Sequence, residues 1–361
     1  MMTTRRTFAE LAATITTHPL AFTMARVLML VALSMVMLSV LLLSTGHDVM
    51  AALSAMVRGA FGSYYAITSA TIVRMVPLAL AGLAVSVAFR AGLLNIGAEG
   101  QLLMGAAAAT ALSGALGGVP WFLGIPAILV AGALAGGSWA AIAGALRLRF
   151  GVLEVISTIM LNFVALYITG WLVRGPLQEP TGINPQSATL VPELQMPVLL
   201  SGTRLHAGVV VVILVAVGVW WWLGRTASGF RLRAVGATAT AAASAGRINV
   251  PRTMFGAFLV SGLLAGLAGA VEYSGITYAL YENFSPGYGY TAIAVALLAR
   301  LHPLGVLATA LLFGALEAGA NAMQRDAGVP SVVVSVVEAL LILLVLAADR
   351  THRSRADESG T

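Results

Sequence analysis

The sequence predicts an all-α polytopic membrane protein of about ten transmembrane helices. Three observations carry that expectation. Hydrophobic residues make up 59% of the 361 and charged residues only 9%, with a mean hydropathy of +0.93, whereas a soluble chain carries roughly 25% charged residues. Apolar runs close to the ~20 residues needed to cross a bilayer recur along the chain. The arginines fall mainly between those runs and favour alternate connections, as the positive-inside rule requires.

About ten runs are candidate crossings: 26–44, 72–89, 101–118, 121–146, 153–173, 207–223, 253–271, 288–301, 303–320 and 331–348. The first starts too late and runs too long for a cleavable signal, so it reads as a signal anchor. The fourth is long enough to tilt, and the eighth is short and led by glycine. With ten crossings and a cytoplasmic N-terminus, fifteen arginines fall inside. Only Arg58, Arg74, Arg174, Arg204 and Arg325 fall outside. An odd number of crossings would expose one of two arginine-bearing termini, so both ends are expected in the cytoplasm. The chain then divides into a cytoplasmic N-terminal segment (1–25), a membrane domain (26–348) and a cytoplasmic tail (349–361).

Three connections have content of their own. The stretch 46–71, expected outside, reads as an amphipathic segment on the membrane surface or as an ordinary loop, the former favoured. The stretch 174–206 carries Pro176, Pro180, Pro185, Pro192 and Pro197, so it cannot form a regular helix. It reads either as a plain loop or as a cap that meets an external partner. The stretch 224–252 is cytoplasmic. Within it an alanine-rich run, 237–245, reads as a short helix with Gly236 and Gly246 at its ends.

Composition also excludes. The chain has no lysine and therefore no P-loop. It has no cysteine, which removes disulfides and thiolate sites. Its five histidines are scattered, so no metal site is expected and no cofactor is implied. The net charge of +6 serves membrane topology rather than nucleic-acid binding.

The stretch the chain is organised around is 91–101, Ala-Gly-Leu-Leu-Asn-Ile-Gly-Ala-Glu-Gly-Gln. Three glycines, two amides and a carboxylate interrupt two apolar runs. Such a break must be buried in protein or line a watery cavity, and we read it as part of a solute path. Glu99 is either a wall of that path or a cap of the following helix. Glu154 reads as a first-turn carboxylate. Asn162, two turns further on, needs partners from another helix or from a solute. Glu272, Asn283, Glu317, Asn321 and Glu338 also fall in or near apolar runs, where a charge costs about 2.5–3.5 kcal/mol on insertion scales. Asn283, Gly287 and Gly289 loosely echo Asn95, Gly97 and Gly100, the pattern an inverted repeat gives. Gly132/Gly136 and Gly262/Gly266 are small-xxx-small pairs suited to close helix contact. Trp220, Trp221 and Trp222 read as an interfacial belt.

The run 92–101 resembles the signature of bacterial ABC importer permeases of the nucleoside and simple-sugar group. Glu154-Val155-Ile156-Ser157-Thr158-Ile159-Met160-Leu161-Asn162, Leu232-Arg233-Ala234-Val235-Gly236 and Ala292–Leu298 ahead of His302-Pro303-Leu304-Gly305 are similar to the same group, in the same order. The resemblance implies a multi-pass permease subunit of the bacterial inner membrane, set in lipid. It implies a partner ABC ATPase, a second and shorter permease in a heterodimer, and an external solute-binding protein. The signature looks more like the nucleoside branch than the ribose or branched-chain amino-acid branches. The segment 229–246 then matches the loop that couples to the ATPase, with Gly229, Arg233, Gly236, Ala241, Ala242 and Gly246 as its contacts. Thr238, Ala239 and Thr240, Arg247 and Leu153 depart from the family's pattern. Asn95, Glu99, Asn162, Asn283 and Tyr288 become the expected substrate-path residues. A pentose permease and an ion-coupled secondary transporter are the alternatives. A membrane enzyme lacks a catalytic constellation.

Overall fold

A computed structural model describes residues 19–244 and 248–330, with 332, 333, 335, 336 and 339. The expected tenth crossing, Glu338, Gly246 and both terminal segments lie wholly or mostly outside the described residues.

The described secondary structure is helical, apart from three isolated backbone bridges. In order the helices are α1 (Pro19–Ser44), α2 (Val49–Phe61), α3 (Tyr64–Arg90), α4 (Ala98–Ser113), α5 (Trp121–Phe150), α6 (Glu154–Arg174), α7 (Gly208–Arg225), α8 (Ala227–Ala237), α9 (Ala239–Ser244), α10 (Val250–Thr277), α11 (Tyr288–Leu298) and α12 (Pro303–Ala327). Two compact units emerge. The smaller holds α1, the first turns of α2 and the last residues of α12; the larger, Met56–Ala322, holds everything else. In the smaller unit Asp48 caps α2 by accepting the Met50 and Ala51 amides at 2.9 and 3.0 Å.

Six described helices are long and apolar enough to cross a membrane: α3, α5, α6, α7, α10 and α12. Of the other four expected crossings, the first falls on α1, which counts here only over Met35–Ser44, the tenth lies mostly outside the described residues, and two are short. α4 has 16 residues and α11 has 11, about 24 and 16 Å at 1.5 Å per residue, against a hydrocarbon core of ~30 Å. Both expected crossings are helical over only part of their length. The stretch 46–71 is not a loop but α2 and the start of α3. The final turns of α2 meet α12, where a Cβ on Gly59 would strike Ala322.

The core of the larger unit is a glycine seam between α4, α5 and α10. A Cβ on Gly105 or Gly136 would fall on the Gly266 backbone, and one on Gly266 would fall on the Gly132 carbonyl. The two small-xxx-small pairs thus interdigitate as their spacing predicts. In lipid, where helix association has little hydrophobic drive, this backbone approach maximises dispersion contact.

The proline-bearing connection between α6 and α7 folds over the end of α10. Backbone amides of Ser187, Leu190 and Met196 donate to the carbonyls of Leu280, Tyr278 and Ser274 at 2.7, 2.7 and 2.8 Å. Arg174 and Glu282 pair across it at 2.6 Å. It is therefore an ordered cap.

Replacing Gly266 with Val is expected to cost about 3 kcal/mol, the upper end for overpacking, because the added atoms meet backbone that cannot repack. The same change at Gly218, which has nothing within 4 Å, is expected to stay within about 0.5 kcal/mol. Thermal unfolding in detergent checks the contrast.

Candidate solute pathway and the unwound segment

The break at 91–97 is unwound, as its glycines and amides predict, and its backbone groups are satisfied by side chains. Asn95 is fully buried. Its Oδ1 accepts the Gly97 amide at 2.9 Å, and its Nδ2 donates to Ser261 on α10 at 2.9 Å and to Gln101 at 3.1 Å. Asn162 on α6 donates to the Ile96 carbonyl and accepts the Gly100 amide, both at 2.9 Å, and donates to the Tyr290 hydroxyl at 3.2 Å. Glu154 pairs with Arg147 and accepts the Leu94 amide at 3.4 Å. Four groups of an otherwise orphaned backbone thus find partners, each worth about 1–3 kcal/mol if left bare.

α4 begins where the break ends, and α11 begins against it. The Gly289 amide, in the first turn of α11, donates to the Glu99 carboxylate at 2.7 Å. A Cβ on Gly289 would collide with the Glu99 backbone, so only glycine permits the contact. From this meeting the two helices run apart. α4 ends beside Tyr273, whose hydroxyl meets Ser113 at 2.8 Å. α11 ends beside Arg90, which donates to the Leu301 carbonyl at 2.8 Å. Two short helices therefore point their N-termini at one carboxylate, and each N-terminus favours negative charge.

These contacts give three of the expected path residues structural partners. Asn95, Glu99 and Asn162 are 0%, 7% and 3% exposed and hold helices to the break. Glu99 sits in the first turn of α4, but the amide its carboxylate accepts belongs to α11 rather than to the following helix it was expected to cap.

The other two expected path residues, Asn283 and Tyr288, do line a cavity of about 510 Å3. Around them stand Arg74 from α3, Arg204 from the cap, Glu272 from α10, Glu317 and Asn321 from α12, and the rings of Tyr281 and Phe284. Both α3 and α10 take a π-helical turn here, at Ile67–Thr71 and Tyr273–Thr277. Such turns widen a helix locally and often mark functional sites. Asn283 holds a left-handed backbone with φ +60°, which asparagine tolerates better than most residues. The arginines are the feature sequence reading missed. Arg74 was assigned to an outside connection, yet it sits within α3, and an arginine inside an apolar run is itself the signal.

The coupling stretch also differs from expectation. Gly236 does not end the alanine-rich helix; it lies inside α8, and the chain breaks at Thr238, in extended conformation with φ −157°. A Cβ on Gly236 would fall on the Arg90 carbonyl, so this glycine serves the seating of α8 on the end of α3. Gly229 is buried against the end of α7, and its amide donates to Thr226 at 3.1 Å. Arg233 and Ala241 are exposed, and Ala242 is buried.

The family model described as "Branched-chain amino acid transport system / permease component" matches residues 67–346. The chain belongs to this permease family. It is 41% identical over 312 residues to the guanosine ABC transporter permease protein NupP of Bacillus subtilis, covering 85% of this chain and 88% of that one. It is 36% identical over 294 residues to the glucose ABC transporter permease protein TsgB13 of Haloferax volcanii, covering 79% and 77%. It is 33% identical over 285 residues to the nucleoside ABC transporter permease protein NupB of Lactococcus lactis, covering 76% and 78%. No solved structure matches. The permease is thus a multi-span membrane protein, as its apolar helices indicate.

The cap contributes a pH dependence. His206 is fully buried; its Nδ1 accepts the Gly208 amide at 3.2 Å and its Nε2 meets no partner. Burial first, and Arg204 second, push its pKa from 6.5 down to about 4. The folded state therefore holds fewer protons than the unfolded state between these values. The stabilisation is complete above pH 6.5 and is lost as pH falls toward 4, by about 3 kcal/mol. The melting temperature of the wild type is expected to fall more steeply than that of His206→Asn across this window. Parallel profiles would assign the pH dependence elsewhere.

Proposed function

We propose that this permease moves nucleosides into the cytoplasm, driven by ATP hydrolysis in a separate subunit. The observation that carries the reading is 41% identity across 85% of the chain to a permease named for guanosine. A permease named for glucose, 36% identical, favours a sugar as the second reading.

In this reading the protein sits in the bacterial inner membrane, with residues 1–25 and 349–361 in the cytoplasm and 26–348 as the membrane domain. It crosses ten times. Two crossings are composite, an unwound half followed by α4 or by α11, related as an inverted repeat. At up to about 3.3–3.6 Å per residue, the unwound stretches are long enough to complete both. Opposed half-helices that meet within the membrane are the form such repeats take in transporters. A second permease subunit pairs with this one, and relatives named NupP and NupQ, or NupB and NupC, occur as pairs in one organism. An external solute-binding protein meets the cap. The 510 Å3 cavity, rather than Asn95, Glu99 or Asn162, is the outward part of the path. α8 and α9, in the stretch 224–252, receive the ATPase.

Cargo affinity must differ between the two states for the cycle to turn. Seating α8 on Arg90 links the ATPase-facing helix to α3, whose other end lines the cavity. The experiment is uptake by the complete transporter in proteoliposomes. Guanosine uptake that glucose and pentoses do not inhibit is expected. Uptake of a sugar alone would overturn the nucleoside reading. Gly236→Val, which pushes α8 off Arg90, is expected to cut uptake at least about tenfold while ATP hydrolysis persists; retained uptake would remove α8 from the coupling route.

A further inference from the structure

The cavity beside Asn283 and Tyr288 holds an unusual set of charges. Glu272 and Glu317 carry two negative charges when ionised, and Arg74 and Arg204 carry two positive ones. Among the described residues, neither carboxylate lies within 4.0 Å of an arginine nitrogen; the only ion pairs are Arg147–Glu154 and Arg174–Glu282. The arginines instead reach backbone carbonyls, Arg74 that of Ala70 at 3.3 Å and Arg204 that of Ile276 at 3.2 Å. One oxygen of Glu272 is buried with no hydrogen-bond partner, in a side chain only 4% exposed.

A bundle gains nothing for its own stability from this arrangement. A buried carboxylate without donors costs several kcal/mol, and an arginine one or two turns away could have been placed to pair with it. Charges held apart around a void suit a neutral guest that carries donors on one side and acceptors on the other. A nucleoside is such a guest. Ribose hydroxyls donate to carboxylates, as in dinucleotide sites. The ring nitrogen and carbonyl of a purine accept from arginine. Tyr281 and Phe284, with ring centroids 5.7 Å apart, and Tyr288 offer faces for the base.

We propose that Glu272 and Glu317 are the ribose-reading residues of the pathway and that Arg74 and Arg204 take the acceptor edge of the base, so that cargo completes the polar bonding the empty cavity lacks. The assignment rests on the nucleoside reading above.

The test compares uptake of guanosine and 2′,3′-dideoxyguanosine by the complete transporter in proteoliposomes, for wild type, Glu272→Gln and Glu317→Gln. The external binding protein contributes equally to all three, so the change in the cargo ratio reports the permease. Each substitution is expected to lower guanosine uptake about tenfold or more, as loss of a charge-assisted bond does, and to leave dideoxyguanosine uptake nearly unchanged. Glu272→Gln is also expected to melt no lower than wild type, since the amide is nearly isosteric and, among the described residues, the carboxyl has no hydrogen bond to lose. Equal slowing of both cargoes, unchanged guanosine uptake, or a lower melting temperature for Glu272→Gln would overturn the assignment. Glu317→Gln, at a partly exposed position, decides the ratio if Glu272→Gln does not reach the membrane. A wild type that moves glucose and no nucleoside fails the functional reading instead. The ratio is then read with glucose and 2-deoxyglucose, where equal slowing overturns the proposal.

Discussion

Everything in the larger unit depends on one constraint: peptide groups cannot go bare in a dry bundle. The chain unwinds between α3 and α4, and water cannot satisfy the exposed amides and carbonyls there. Asn95, Asn162 and Glu154 do so instead, at 2.9–3.4 Å. Because these side chains come from the break itself and from α6, satisfying the backbone also fixes where α6 stands. The Asn95 bond to Ser261 does the same for α10, and Ser261 in turn donates to the Ala84 carbonyl of α3 at 2.7 Å. A single polar knot thereby registers four helices that lipid alone would leave free to slide.

The glycines let this knot close. Without side chains, α4, α5 and α10 approach to backbone contact, and α11 can lay its first turn on Glu99. Close packing on this side contrasts with the opening beside α3, α10 and α12. There, π turns and the left-handed Asn283 leave a cavity lined by charges. One region is saturated with hydrogen bonds and the other is short of them. This asymmetry sets a hydrogen-bonded side of the bundle against a side whose polar groups lack partners.

Much of this was legible in the sequence. Hydropathy located every long described helix, with ends as much as eight residues short, as at the start of α3 and the end of α12, and the break at 91–101 announced itself through glycines and amides. The small-xxx-small pairs foretold the seam. Polarity alone does not assign a function to these residues. Asn95, Glu99 and Asn162 looked like path residues because amides and acids are costly in lipid, and no one-dimensional reading separates a side chain that serves a solute from one that serves a backbone. The cavity escaped for a related reason. Arg74, Arg204, Glu272 and Glu317 are more than a hundred residues apart at the extremes, and only the folded cap brings Arg204 to the others. Gly236 was taken for a helix end because glycine commonly is one, whereas contact with Arg90 decides its place.

The central claim, that side-chain amides replace water around an unwound membrane segment, is most directly tested by amide hydrogen exchange across residues 93–101 in the wild type and in Asn162→Leu. In the wild type this segment is expected to exchange as slowly as the interior of α10. In the variant, the Gly100 amide loses its partner and the segment should exchange at least about tenfold faster. Rapid exchange in the wild type, typical of a solvated loop, or identical protection in the variant would contradict it.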